Sequence, residues 1–215
     1  MKNPLPASPA PIWRPPGPSM ASREVHSSSR GACRPSLVGG TVPREIRCES
    51  GLERKAGLAL LTHPQVADLQ EQPPSVAWKD AAGHPHRHTF DFLAFLHDRR
   101  KLAVAVKPKA IADKRFADQL AMIAKQLPRS FADGVLLLTE QDLPRDLIHN
   151  ATLVHQSRRV VDVDLDRQLL SLVGDNPGVT IGQLVKASGR GGDAFRSIVR
   201  LIGSGPIVTV RRQMI

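Results

Sequence analysis

The apolar residues of this chain change their spacing in a fixed order, and that order limits the folds open to it. From Leu52 to His63 they recur at helical spacing, which ends at Pro64 because the residue before a proline avoids the helical region. Short alternating segments follow, and a second helical pattern then covers residues 110–127. The apolar run 134–138 is typical of a buried strand that lies parallel to its neighbour in a sheet.

The alternating segments predict an antiparallel meander. Segments 66–71 and 75–79 are followed by a turn signal at Gly83, and residues 87–96 and 101–107 predict two strands joined by a tight polar turn. The core therefore has the order helix, antiparallel β-meander, helix, strand, and its fold class is α/β.

The last part of the chain predicts a small module of three short helices. The first helix ends at Gly174, Thr180 caps the second and Asp193 caps the third. Residues 206–212 alternate like a strand, so that the module resembles a winged helix-turn-helix.

Composition separates these domains from an N-terminal tail. Nine of the eighteen prolines lie in the first 47 residues, among few large apolar groups, so we expect this segment to be disordered. The predicted organisation is a tail over residues 1–47, an α/β domain over 48–140, a linker or helix over 141–160 and the winged-helix-like module over 161–215.

The charge of the chain predicts a polyanionic partner. The net charge is +10, and the excess lies at the two ends: residues 1–47 carry seven Lys and Arg against two Glu, and residues 145–215 carry ten against six Asp. No apolar run is long enough to cross a membrane. Cys33 and Cys48 form neither a disulfide framework nor a zinc spacing, which favours a cytoplasmic protein.

Four charged residues in the α/β domain could form a catalytic site. Glu49 and Glu53 lie four residues apart on one face of the first helix, where they reach a divalent cation or only complement the helix dipole. Asp91 is predicted to be buried, and acids are seldom buried unless they are paired or bind metal. Pairing across the turn brings Lys107 to Asp91. The two form a plain ion pair, or a site in which Asp91 holds Mg²⁺ and Lys107 positions the attacking water.

Three histidines at positions 84, 86 and 88 also alternate, so their side chains share a face if they lie on one strand. No cysteine or further ligand stands at a recognised metal spacing near them. The pattern therefore favours a solvated hairpin edge over a metal site.

Taken together, four segments resemble the TnsA-type transposon endonuclease family, a branch of the restriction-endonuclease-like PD-(D/E)xK fold. They are Glu49-Ser50-Gly51-Leu52-Glu53, Glu71-Gln72-Pro73, Thr89-Phe90-Asp91-Phe92 and Val104-Ala105-Val106-Lys107. The resemblance implies that Glu53 is the helix-borne acid, Asp91 the central metal ligand and Lys107 the lysine of the last motif. Glu49 and Gln72 would be supporting residues, and the Val106 carbonyl would join Asp91 and Glu53 as a ligand of Mg²⁺ or Mn²⁺.

Ala105 departs from the pattern of that family. An acid or amide at this position would be the second metal-binding side chain, and a methyl group cannot coordinate a cation. Three explanations are open: a weak or dead site in a domain kept for binding, an acid supplied from elsewhere with Glu49 the nearest, or an introduced inactivating substitution.

Five arginines of the C-terminal module suggest a DNA-binding face: Arg190, Arg196, Arg200, Arg211 and Arg212. Arg196 and Arg200 lie four residues apart on the third helix, and the last two lie on the predicted wing, so contact with phosphates or a groove is one interpretation. A basic surface that docks onto a protein partner is the other.

The resemblance implies an endonuclease subunit of a heteromeric transposase. It would hydrolyse phosphodiester bonds at the ends of double-stranded DNA with Mg²⁺, beside a transposase subunit and an ATPase regulator, and Ala105 leads us to expect weak or absent activity. One alternative is a non-catalytic DNA-binding or assembly protein that keeps the nuclease fold. The other is a winged-helix transcription regulator with an α/β sensor domain.

Overall fold

The regular elements follow the predicted order in the computed structural model, which describes residues 14–23, 35–210 and 214–215. The strands are β1 Ser36–Gly39, β2 Arg44–Arg47, β3 Val66–Glu71, β4 Val76–Lys79, β5 Pro85–His88, β6 Phe92–Leu96, β7 Lys101–Val106 and β8 Gly134–Leu138. The helices are α1 Gly51–Thr62, α2 Lys114–Gln126, α3 Arg145–Ser157, α4 Val163–Asp175, α5 Ile181–Ser188 and α6 Gly191–Ser204.

The central sheet has the strand order β3-β6-β7-β8. Strands β3, β6 and β7 pair antiparallel, and β8 pairs parallel to β7 after the crossover through α2. Alternation divides β7 between two apolar layers: Val104 and Val106 pack with α1, whereas Ala103 and Ala105 pack with α2. The predicted α/β class is confirmed.

The hairpin β1–β2 corrects the prediction of a disordered tail over residues 1–47. Leu37 and Ile46 point into the core, at 4% and 0% exposure, and pack against α1. The prediction relied on the many prolines and overlooked this short apolar alternation. Burial of these apolar side chains against α1 stabilises the hairpin. Residues 1–13 and 24–34 of the predicted tail lie outside the described residues.

The predicted strand 87–96 is two strands in the structure. β5 pairs with β4 in a small separate sheet, whereas β6 joins the central sheet. Asp91 lies in the connection between them, and backbone hydrogen bonds hold it there. Its N–H donates to the Val104 carbonyl at 2.9 Å, and its carbonyl accepts from the Gln72 N–H at 2.9 Å. The apolar alternation continues through this break, so the sequence pattern did not reveal it.

Helix α3 does more than link the two parts of the chain. Ala151 and Val154 are buried, and the helix lies between α1 and α6. Gly203 of α6 approaches α3 so closely that an added Cβ would lie 2.3 Å from Val154 Cγ1. The C-terminal module is therefore packed directly on the α/β domain.

The three helices of the C-terminal module, α4 to α6, enclose a small apolar core that includes Leu165, Leu169 and Ile198. Thr180 caps α5 as predicted, through a capping box with Gln183. Within the described ranges, no helix is both long and apolar enough to cross a membrane.

Two predictions about this module are wrong. Helix α6 begins at Gly191, so Asp193 lies in its first turn and does not cap it. The predicted wing is not a strand over residues 206–210, because Ile207 turns back into the module core, where its N–H donates to the Leu201 carbonyl at 3.3 Å. Arg211 and Arg212 lie outside the described residues.

Candidate active site

Asp91 is the most buried acid of the predicted site, at 7% exposure. It stands one residue before β6, and its Oδ2 accepts a hydrogen bond of 2.7 Å from the Val106 N–H of β7. Burial raises the pKa of Asp91, although the charge of Lys107 and the Val106 hydrogen bond oppose the rise. The backbone therefore holds this carboxylate in place at a cost in solvation.

Lys107 continues the pairing of β7 with β8, since its N–H donates to the Leu138 carbonyl at 3.0 Å. Its side chain is half-buried and acts on two groups on either side of it. It opposes the rise in the pKa of Asp91, and it adds to the effect of burial in lowering the pKa of His88. The structure thus brings Asp91 and Lys107 together, as the antiparallel pairing predicted.

Glu53 lies in the first turn of α1, and its carboxylate takes part in the helix cap. Its Oε2 accepts from the Glu49 N–H at 2.7 Å, its Oε1 accepts from the Ser50 hydroxyl at 3.1 Å, and its own N–H donates to Ser50 Oγ at 3.1 Å. Burial raises the pKa of Glu53 against the hydrogen bond from Glu49, and the charge of Asp91 raises it further. Glu53 is therefore near Asp91, but both of its oxygens already have partners.

Glu49 does not share a helical face with Glu53, because α1 begins only at Gly51 with Ser50 as its cap. Its side chain turns instead to Arg23, whose Nη2 lies 2.9 Å from Glu49 Oε1. The carboxylate that was nearest to replacing a ligand at position 105 is thus neutralised by an arginine.

Ala105 is 1% exposed and belongs to the apolar layer between the sheet and α2. Its neighbours in that layer include Phe90, Leu93 and Ile123. Alternation along β7 places it on the same face as Lys107, which is where the resemblance puts the second ligand. An apolar layer now surrounds that position.

Gln72 joins the site through strained backbone and a buried amide. Its φ is +42°, a region that non-glycine residues seldom adopt, and the residue is 1% exposed. Its Oε1 accepts from Arg23 Nε at 2.9 Å, whereas its Nε2 is buried without a hydrogen-bond partner among the described residues.

The residues that sequence reasoning missed come from the N-terminal strap, which we define as residues 19–23. The Ser19 hydroxyl and the Met20 N–H both donate to Glu71 Oε1, and the Ser22 N–H and hydroxyl donate to the Gln72 carbonyl at 2.9 and 2.8 Å. Arg23 then reaches Glu49 and Gln72. The strap lies in the segment predicted to be disordered, and no local spacing points from Arg23 to a residue 26 positions away.

Cys48 and Glu71 add buried groups beside these acids. Burial raises the pKa of the Cys48 thiol to about 12, and the charges of Glu53 and Glu71 contribute to the rise. Glu71 is fully buried, at 0% exposure, and no hydrogen bond reaches its Oε2 from the part of the chain that the structure describes. In the sequence, Glu71 is marked only as an acid at the end of a predicted strand, and the polar residue Gln72 beside it gives no sign that this acid is buried.

These residues do not fit a tightly held divalent cation. Mg²⁺ needs oxygen ligands in octahedral geometry, yet Glu53 serves the helix cap, Glu49 is paired with Arg23, and position 105 offers no oxygen. Val106 faces Asp91 with its N–H. In the described ranges, no three His, Cys, Asp or Glu side chains form a group that could hold a metal ion.

The three histidines at 84, 86 and 88 have other roles. His84 Nδ1 and His86 Nε2 lie 3.3 and 3.0 Å from Oδ2 of Asp80, and the His86 ring stacks on Trp78 at 4.8 Å. His88 packs edge-on against Phe90 at 4.7 Å. His84 and His86 are exposed on the hairpin, in line with the predicted solvated edge.

Acids within the C-terminal module pair with the arginines predicted to bind DNA. Arg190 Nη2 lies 3.0 Å from Asp162 Oδ2, and Arg196 pairs with Asp193 on the surface of α6. Arg200 pairs with Asp166 of α4, and the side chains of this pair are only 12% and 15% exposed. Arg200 is therefore not presented to DNA, because α6 packs against α3, α4 and α5. Contact of Arg190 or Arg196 with DNA stays a prediction.

No protein-family model matches the chain, and comparison with curated proteins finds no similar sequence.

Proposed function

We propose that this chain is a nuclease-fold DNA-binding subunit of a TnsA-like transposition system, with little or no cleavage activity of its own. The observation that carries the proposal is the arrangement around β7. Asp91 is fixed by the Val106 N–H beside Lys107, and Ala105 fills the intervening ligand position with a buried methyl group. The proposed partners are double-stranded DNA, a transposase subunit and an ATPase regulator, as the resemblance implies.

Asp91 supports the nuclease origin of the site. A carboxylate that is buried at a cost in solvation, and held by backbone beside a lysine, is typical of a functional position more than of a structural one. A structural ion pair needs no such burial, because a charge that leaves water loses its hydration. Two acids make the same point, since the charges of Glu49 and Glu53 both interact with that of Asp91.

Ala105 supports the loss of cleavage. A cation bound mainly by Asp91 would keep most of its waters and would be held weakly. The resemblance therefore favours a domain that has kept its DNA-facing shape, and the endonuclease interpretation is retained as the activity that a ligand at position 105 would restore.

Plasmid nicking tests this function. We expect the wild-type protein with Mg²⁺ or Mn²⁺ to nick supercoiled DNA no faster than Asp91→Ala, and to bind duplex DNA nevertheless. Ala105→Gln and Ala105→Glu restore an oxygen on the face of Lys107 and should increase nicking, whereas Ala105→Leu should not. Efficient nicking by the wild type that persists in Asp91→Ala would show that the site is wrongly assigned, and absence of duplex binding would contradict the DNA-binding function.

A second candidate is a ligand-responsive regulator, and one observation favours it. A cavity of about 290 Å³ lies between the β1–β2 hairpin and the ends of α1 and α3, lined by Leu61, His155 and Arg158 among others. Small-molecule sites are typically apolar clefts with a few polar groups. The burial of α6 argues against this candidate, because a regulator reads DNA with an exposed recognition helix.

A further inference from the structure

The N-terminal strap contacts the candidate site although it is far from it in sequence. Its contacts follow the strained turn at the end of β3: Ser19 and Met20 bind Glu71, and Ser22 binds the Gln72 carbonyl. This sequence of contacts fixes where the next residue, Arg23, can place its guanidinium. The hydrogen bonds of residues 19–22 therefore hold Arg23 close to the acids.

Arg23 binds two groups of the site at once. Its Nη2 lies 2.9 Å from Glu49 Oε1, and its Nε donates to Gln72 Oε1 at 2.9 Å. The charge of Arg23 also acts on Asp91, where it opposes the effect of burial. A single cation therefore contacts Glu49 and Gln72 and also acts on Asp91.

The site still has donors for an anion. Gln72 Nε2 is not one of them, because it lies in a residue that is only 1% exposed. The Arg23 side chain remains 43% exposed with two of its three nitrogens bonded to protein, so the planar fork keeps N–H groups for a ligand. Lys107 is half-buried, and its charge also acts on Asp91.

We propose that Arg23 is the resident cation of this site, and that together with Lys107 it binds a backbone phosphodiester of DNA without a divalent metal ion. Arg23 neutralises Glu49, which would otherwise repel the phosphate, and a guanidinium is suited to phosphate geometry. The choice of DNA as the ligand rests on the proposed function. The position of Arg23 beside the acids does not depend on it.

The first experiment measures the affinity of the full chain for a fluorescent duplex in EDTA and in Mg²⁺. Wild-type affinity should be no higher in Mg²⁺ than in EDTA, because Mg²⁺ only competes for the DNA phosphates. Arg23→Ala should weaken binding in EDTA by ~10-fold or more, and Mg²⁺ should recover part of the loss because Glu49 is then free. Arg47→Ala is the matched control: Arg47 pairs with Glu45 on the outer face of β2, so its loss removes one surface charge with no site contact. The inference is overturned if Arg23→Ala binds no more weakly than Arg47→Ala, or if the wild type needs Mg²⁺.

The second experiment uses no DNA and separates the two proposals. Mn²⁺ is titrated by calorimetry into the wild type, Arg23→Ala and Arg23→Ala with Asp91→Ala, each first shown to be folded by circular dichroism. Arg23→Ala should gain Mn²⁺ binding that the double variant lacks, and the wild type should bind at least ~10-fold more weakly. Equal binding by the wild type, or no gain in Arg23→Ala, overturns the role of Arg23. If instead the wild type binds no duplex in either buffer, the proposed function fails while this titration still decides what Arg23 does.

Discussion

At the scale of single residues, Asp91 shows how this protein trades stability for a charged group. The carboxylate is 7% exposed, and burial outweighs both Lys107 and the Val106 hydrogen bond in setting its pKa. Because the pKa is raised in the folded protein, the folded state binds a proton more readily than the unfolded state. Stability therefore falls as pH rises from the unfolded pKa of an aspartate through the raised value.

Asp91→Asn should remove this pH-dependent cost. The amide keeps an oxygen for the Val106 N–H and carries no charge, so we expect the variant to be more stable than the wild type at pH 8 by on the order of 1 kcal/mol. The difference should shrink as the pH is lowered towards 4, where the wild-type carboxyl becomes protonated. Urea unfolding at several pH values measures it. A variant that is less stable at pH 8 would show that the charge of Lys107 and the Val106 hydrogen bond outweigh burial.

At the scale of elements, the contact between α3 and α6 joins the two parts of the chain. Gly203 allows α6 to lie against Val154, where a Cβ would have no room. This contact covers part of the surface of α6. The sequence pattern predicted α6 correctly but treated its surroundings as solvent.

Gly203→Ala should destabilise the protein by about 1–3 kcal/mol, through overpacking against Val154. Val154→Ala creates space at the same point, so the double variant should be more stable than the sum of the single changes by about 1 kcal/mol or more. Gly182→Ala is the matched control, because a Cβ there meets no atom within 4 Å and the substitution favours the helix. Additive effects in the cycle would mean that α3 and α6 are not in contact.

At the scale of the whole molecule, charge is distributed differently from the expectation of two basic ends gripping DNA. Arg190, Arg196 and Arg200 each face an acid of their own module. The N-terminal strap, by contrast, carries Arg23 to the acidic site of the α/β domain. The face around Lys107 is therefore the DNA surface that we propose.

Three alanine variants test this distribution. Lys107→Ala should lower duplex affinity and reduce the salt dependence of binding, whereas Arg196→Ala should change both only slightly. Arg200→Ala should leave the affinity of the folded protein unchanged but destabilise the C-terminal module by about 1–3 kcal/mol, since it leaves the half-buried Asp166 unpaired. Fluorescence anisotropy and thermal unfolding measure the two effects. If Arg196→Ala lowered duplex affinity more than Lys107→Ala, DNA contact would be assigned to the C-terminal module.

The sequence by itself determined the elements and their order, because helical and alternating spacing record which face of a segment is apolar. Asp91 and Lys107 were predictable for the same reason, since one antiparallel turn relates them. The tertiary structure alone decided the rest. The position of Arg23 at Glu49, the occupation of Glu53 by its cap, and the burial of Ala105 and Arg200 depend on which surfaces meet. The spacing of residues along the chain does not indicate these contacts, because they join residues that are far apart in sequence. The packing of the whole fold determines them.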